Sequence, residues 1–172
     1  VAATSLPVTV KMRLGWDDDS LNAADIARRA ESAGVKMITV HGRTRQQFYK
    51  GTARWHLVKP VTEAVGIPVV VNGDILGPDE ADTALAQSGA DAVMIGRGAQ
   101  GQPWIVGQVA AHLDERPAPA TPEGNDLVNL VAAHYEDMLS EYGTELGVRM
   151  ARKHIGWYLD AAGELSNAQR RP

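Results

Sequence analysis

The run P-V-T-V-K-M-R, Pro7 to Arg13, and the run H-G-R-T-R, His41 to Arg45, return later as P-V-V-V-N-G-D, Pro68 to Asp74, and I-G-R-G-A, Ile95 to Ala99. In both rounds a Pro-led, β-branched stretch is followed by a helical stretch closed by glycine, Gly34 and then Gly89, and by a second apolar run. The pattern is a repeated βαβ unit. Val8 to Val10, Met37 to Val40, Val69 to Val71 and Ala92 to Ile95 are continuous apolar runs, as expected of parallel strands covered on both faces. Each run ends in residues suited to holding a ligand: Lys11 and Arg13, His41 and Arg43, Asn72 and Asp74, Gly96 and Arg97. A parallel α/β barrel places its chemistry at that edge of the strands.

The 172 residues, 44% hydrophobic, suffice for a core of ordinary size. Four βα units make half of an eight-stranded barrel, which in full takes about 250 residues. The expected fold is therefore α/β, the C-terminal half of a (β/α)8 TIM-type barrel followed by a small all-helical domain. The opening at Val1 within a few residues of a strand, and the end at Arg170-Arg171-Pro172 without a terminating element, suggest a truncated chain. A self-contained half-barrel is the alternative.

Cysteine is absent, which excludes a disulfide framework and a thiolate metal site, and makes the cytoplasm the expected compartment. The chain shows no run of 18 apolar residues and no signal-peptide pattern, so no membrane partner is expected. A net charge of -4 argues against a uniformly basic surface, although it leaves room for a local cationic face.

The first helix is expected to start with Asp19 or Ser20 as its cap and to bury Ala23, Ala24, Ala27 and Ala30. The polar stretch between His41 and Trp55 has the length of a functional loop. A second helix is expected over roughly Trp55 to Val65, a third from Pro78 to Gly89 and a fourth to about Leu113. The Pro-rich segment Arg116 to Gly124 predicts a boundary: a barrel portion over 1–116, a linker over 117–124 and a helical domain over 125–172. Two helices, about Asn125 to Tyr142 and Glu145 to Ala162, are expected to flank Gly143.

Among the strand-end residues, Lys11 with Arg13 two residues on could face an anionic cofactor or remain a solvated strand end. His41 suits a donor or proton-transfer group, and equally a structural hydrogen bond. Asn72, Gly73 and Asp74 combine a donor and acceptor with close backbone approach, or form a plain turn. Gly96 and Arg97 offer free backbone N–H groups and a fork of donors to an anion, at the position where barrels bind phosphate if these are the last strands. Together these motifs favour a phosphorylated cofactor. Asp17, Asp18 and Asp19 read as carboxylates complementing a helix N-terminus, since three neighbours in sequence cannot all converge on one metal ion. His56, His112 and His134 have no partner at ligand spacing, and no metal is expected.

The strings K-M-R-L-G-W, V-H-G-R-T-R-x-Q, V-V-V-N-G-D-I, D-A-V-M-I-G-R-G-A-x-G-x-P-W and R-M-A-R-K-H-I-G-W-Y closely resemble the tRNA-dihydrouridine synthases, most nearly their bacterial B-type branch. The resemblance implies an FMN-dependent enzyme, reduced by NADPH, that saturates the C5–C6 bond of uridines in tRNA. It implies that Lys11 contacts the flavin ring and that His41 borders flavin and uracil. Asn72, Gly73 and Asp74 would hold the ribityl and phosphate region, and Gly96 and Arg97 the phosphate, with Arg13 in the same cofactor-binding set. The family's catalytic Cys, which protonates uracil C5, and its first FMN-binding loop lie in the other half of the barrel and have no counterpart here. The chain is accordingly expected to be a fragment without activity of its own.

In such a family the C-terminal helices bind RNA. Arg149, Arg152 and Lys153 fall on one helical face at i, i+3 and i+4, with His154 adjacent, as phosphate contacts or as a solvated face. Trp157 and Tyr158 could stack on a base, or pack against the preceding helix. Two other classes compete: an FMN barrel acting on a small molecule such as dihydroorotate or a dihydropyrimidine, and a non-catalytic RNA-binding remnant.

Overall fold

A computed structural model describes residues 1–163. It divides into two compact units, the first spanning Val1–Gly98 and the second beginning at Ala99. The first unit runs β1 (Thr9–Arg13), α1 (Ala23–Ser32), β2 (Met37–His41), a 3-10 turn (Trp55–Val58), α2 (Lys59–Thr62), β3 (Val69–Asn72), α3 (Pro78–Ser88) and β4 (Ala92–Met94). The four strands are parallel and lie in the order β1-β2-β3-β4. The expected α/β repeat is present in full, in the number that makes half of a (β/α)8 barrel.

Strand alternation sorts the sheet into two faces. Ile38, Val40 and Val71, each fully buried, share one face with Val10, Met12, Val69 and Val93, and the helices cover it. The other face carries Lys11, Arg13, Thr39, His41, Val70, Asn72 and Met94. Small residues let the helices lie close, since Ala27, Ala81 and Ala84 are all fully buried. Gly89 ends α3 in the left-handed conformation at φ 65°, which its missing Cβ makes cheap.

Three expectations need correction. The first helix begins at Ala23 with Asn22 as its cap, not at Asp19 or Ser20. The reason is a pinched loop: Gly15 bridges Leu21, and the Leu14 carbonyl accepts from the N–H groups of Asn22 and Ala23. The helix expected over Trp55 to Val65 is a 3-10 turn plus the single turn of α2. The boundary between units falls at Gly98, well before the Pro-rich segment. That segment is no free linker, because the Gln108 side-chain amide donates to the Pro119 carbonyl and the Thr121 hydroxyl, both at 3.1 Å.

The second unit contains α4 (Ile105–Leu113) and α5 (Gly124–Ala161). Gly143, at φ 72° and ψ 168°, breaks α5 into the two helices expected on either side of it. They pack closely at Gly147, where a Cβ would stand 2.7 Å from the Met138 carbonyl oxygen. Gly101 is similarly required: at φ 76°, its Cβ would meet the Trp157 carbonyl oxygen at 2.1 Å. Among the described residues, no helix is long and apolar enough to cross a membrane.

Candidate active site

The strand register assembles the site. Arg13, His41, Asn72 and Met94 are successive partners across all four strands, and Lys11, Thr39, Val70 and Ala92 form the row beneath them. Sequence positions up to 81 residues apart, Arg13 to Met94, thus share one level of one face. Gly73 and Asp74 follow β3 directly, and Gly96 and Arg97 follow β4. All the strand-end residues singled out in the first unit therefore sit at the C-terminal edge of one parallel sheet.

The organising residue there is Arg43, whose side chain is only 3% exposed. Its Nη2 donates to Asp74 Oδ2 at 2.6 Å and to the Gly51 carbonyl at 2.7 Å, and its Nε donates to the Lys50 carbonyl at 3.2 Å. Its Nη1 lies 3.3 Å from His41 Nε2. A buried guanidinium is tolerable only when its donors and its charge are matched, and these contacts do both. Asp74 Oδ2 also accepts from the Ala53 N–H at 2.7 Å. Burial pushes the Asp74 carboxyl up, but the hydrogen bonds from Arg43 and Ala53, together with the charges of Arg43 and Arg97, outweigh it and hold the group below the ordinary carboxylate range. Asp74 keeps a left-handed backbone at φ 54°, an unusual conformation for a residue with a side chain. Its carboxylate is thus turned toward Arg43, with Oδ1 3.8 Å from Arg97 Nη2.

His41 is 8% exposed. Burial, aided by the neighbouring charges of Arg13, Lys11 and Arg43 against the opposing pull of Asp74, lowers its pKa to about 4. The ring is therefore neutral at pH 7. The space for it comes from Gly73, at φ 114°, where a Cβ would lie 2.6 Å from His41 Cδ2 and 2.8 Å from Nε2. The close approach that Gly73 permits is that of its own chain's imidazole. Asn72 donates from Nδ2 to the Met94 carbonyl at 2.8 Å, tying β3 to the end of β4.

Arg13 clamps the loop after β2, donating from Nη1 to the carbonyls of Thr44 and Phe48 at 3.0 and 2.9 Å. Phe48 is held at φ 53°, and Tyr49 packs edge-on against it with ring centres 4.4 Å apart. The guanidinium of Arg97 stands 4.8 Å from the Tyr49 ring centre and that of Arg13 5.8 Å. Lys11 is exposed, and its ammonium is shifted below its ordinary pKa, chiefly by partial burial and then by Arg13. Arg97 is 57% exposed and reachable. An added Cβ at Gly96 would meet nothing within 4 Å, whereas one at Gly98 would strike the Ile75 carbonyl oxygen at 2.4 Å.

In the second unit Arg149, Arg152 and Lys153 are exposed, and Arg149 is paired with Glu145 at 2.8 Å. His154 departs from this group. It packs edge-on against His134 and Trp157, and burial, followed by the charge of His134, lowers its pKa. It lies within the packing between the two halves of α5. Tyr158 is buried, with its hydroxyl 3.0 Å from His134 Nδ1.

The acidic triplet does not cap a helix. Asp17 Oδ1 accepts from the Ser20 hydroxyl and the Asp19 N–H, and Asp18 pairs with Arg54 at 2.6 Å, because the pinched loop separates all three from α1. Among the described residues, no group of three or more His, Asp and Glu side chains could hold a metal ion. Sequence reasoning placed Arg43 among the strand-end residues suited to a ligand but not as the organiser of the edge, and it passed over Tyr49 and Trp55, whose Nε1 donates to the Gly73 carbonyl at 2.8 Å. The one available signal was the arginine two residues beyond His41, the spacing already noted for Lys11 and Arg13.

A family model described as dihydrouridine synthase matches residues 1–171. The chain is 58% identical over 162 residues to a probable tRNA-dihydrouridine synthase of Rhodobacter capsulatus, covering 94% of this chain and 50% of that protein. It is 52% identical over 158 residues to a probable tRNA-dihydrouridine synthase of Rickettsia conorii, covering 92% and 48%. It is 45% identical over 160 residues to tRNA-dihydrouridine synthase B of Shewanella oneidensis, covering 93% and 50%. The chain thus spans about half the length of the curated relatives it matches.

Proposed function

The chain belongs to the dihydrouridine synthase family, and we propose that it forms part of a flavoenzyme that reduces uridine to 5,6-dihydrouridine in tRNA, with FMN as cofactor and NADPH as reductant. The observation that carries this reading is the shared C-terminal edge of the strands. It sets Arg13, neutral His41 and Asn72 in one row and exposed Lys11 in the row beneath on the same face, with open Gly96 and reachable Arg97 following β4.

The donor set fits a phosphorylated flavin. Gly96 leaves unfilled space where a phosphate could meet backbone N–H groups, and Arg97 presents a fork of donors to it. Asp74 is occupied by Arg43 and Ala53, so it shapes the pocket through Arg43 more than by its own contact. Lys11 supplies a fixed cation beside the cofactor's ring system. When bound, FMN supplies the hydride equivalent that it takes from NADPH. His41, neutral at pH 7, serves as a hydrogen-bond donor toward the uracil. Delivery of a proton to carbon requires an acid. The chain has no cysteine to supply one, and we assign that acid to sequence outside this chain. Arg149, Arg152 and Lys153 supply phosphate contacts to the tRNA.

The test is dihydrouridine formation from unmodified tRNA by the whole protein, omitting FMN and NADPH in turn, with this chain assayed alongside. Turnover by the whole protein that requires both, and none by this chain alone, is expected. Failure of the whole protein to form dihydrouridine would overturn the reading. Turnover by this chain alone would show that another group replaces the missing acid.

A further inference from the structure

We propose that Arg43 is a positioning residue: its guanidinium fixes the His41 imidazole as the Nδ1–H tautomer and so makes Nδ1 the donor that faces the incoming substrate. The inference deepens the function proposed above and rests on it only for the identity of the acceptor, a carbonyl oxygen of the pyrimidine.

The argument is one of donor counting. A guanidinium has five N–H donors and no acceptor, and it does not lose its proton in proteins. Arg43 Nη1 lies 3.3 Å from His41 Nε2, so Nε2 must be the bare, accepting nitrogen. In a neutral ring the proton then resides on Nδ1. The alternative, Nε2–H, would set two donors against each other beside a buried cation.

Arg43 cannot turn away to relieve such a clash, because the Asp74 carboxylate and the carbonyls of Lys50 and Gly51 hold the rest of its fork. Nor can the ring rotate freely, since its Cδ2–Nε2 edge lies against Gly73 where even a methyl would not fit. One edge of the imidazole is thereby taken by Arg43 and Gly73, which leaves the Nδ1 edge for a ligand. The surrounding charges favour the same neutral state: Arg13, Lys11 and Arg43 all oppose protonation, and Asp74 alone favours it. His41 is thus a fixed N–H and not a mobile proton.

The measurement is the ring-nitrogen NMR spectrum of the whole protein labelled with 15N in its histidines, with the His41 signals assigned through His41→Gln. Wild type is expected to show a protonated Nδ1 and a bare Nε2 at pH 7. Arg43→Met removes the donor and one opposing charge. It should convert His41 to a mixture of tautomers and raise its pKa toward the ordinary value of about 6.5. Asp74→Asn leaves the other contacts of Arg43 in place and should retain the Nδ1–H form.

A protonated Nε2 in wild type overturns the proposal by itself, even if the Arg43 variant fails to fold. A tautomer that changes with Asp74→Asn but not with Arg43→Met transfers the role to the carboxylate, and overturns it too. None of these readings uses turnover, so a protein that forms no dihydrouridine yet shows the expected tautomer would fail the proposed function and leave this inference standing.

Discussion

Gly73 and His41 form a fitted pair: the imidazole edge occupies the volume in which any other residue would carry its Cβ, 2.6 Å from Cδ2 and 2.8 Å from Nε2. Gly73→Ala must also hold an alanine at φ 114°. Strain and overpacking each cost roughly 1–3 kcal/mol, so the variant should lose at least about 2 kcal/mol of stability in chemical denaturation. Gly96→Ala is the control. Its Cβ would meet nothing within 4 Å, so stability should stay within about 0.5 kcal/mol while flavin affinity falls. Equal stability losses in the two variants would contradict this account.

Stability should fall on mild acidification because of His41. Its folded pKa, about 4, lies below the unfolded value of about 6.5. The unfolded chain therefore takes up a proton first, and the contribution of the group is complete above about pH 6.5 and lost as pH falls toward 4. Between pH 7 and pH 5 the loss is about 2 kcal/mol by this linkage. Asp74 acts in a lower window, since its folded pKa is depressed and its contribution goes only as carboxylates protonate. Urea unfolding at the two pH values should show the loss in wild type and a smaller one in His41→Gln.

Arg97→Ala removes one charge-assisted contact to the cofactor phosphate. Such a bond contributes about 1.5–3 kcal/mol, so flavin affinity of the whole protein should drop at least tenfold in a fluorescence titration. Unchanged affinity would remove Arg97 from the phosphate site.

Lys11→Ala and His41→Ala should slow reduction of the tRNA uridine more than oxidation of NADPH if, as proposed, His41 donates to the uracil and Lys11 stands beside the reacting ring system. Loss of one hydrogen bond to substrate corresponds to about tenfold in rate. Stopped-flow measurement of the two half-reactions separates the cases. Equal slowing of both would make the residues part of cofactor binding only.

For tRNA binding, the pairing of Arg149 with Glu145 singles out Arg152 and Lys153 as the freer charges on α5. Changing both to Ala should lower the slope of log affinity against log salt by roughly 1.4–1.8, while Arg149→Ala should do less. A slope identical to wild type in the double variant would end the case for this helix.

The fold was legible because parallel strands buried on both faces read as unbroken apolar runs, and Val69 to Val71 could hardly be anything else. The loop from Gly15 to Leu21 was not legible, since a bridge between two residues and a carbonyl shared by Asn22 and Ala23 leave no periodic trace. Of the site, the row from Arg13 to Asn72 followed from strand ends alone. The role of Arg43 did not, because its partners at Asp74, Lys50 and Gly51 meet only after the chain has folded. His154 sits among cations in sequence, and its packing against His134 and Trp157, which with burial lowers its pKa, is visible only in the fold.

The strand order β1-β2-β3-β4 leaves β1 and β4 each with one side unpaired among the described residues. An antiparallel edge could be finished by a two-residue hairpin, but a parallel one needs a strand brought in by a long crossover, which makes completion a non-local event. An edge strand of this kind presents a row of backbone N–H and C=O groups to any extended segment nearby. At high concentration the chain should therefore self-associate through these edges, and light scattering over a dilution series should show the assemblies disperse.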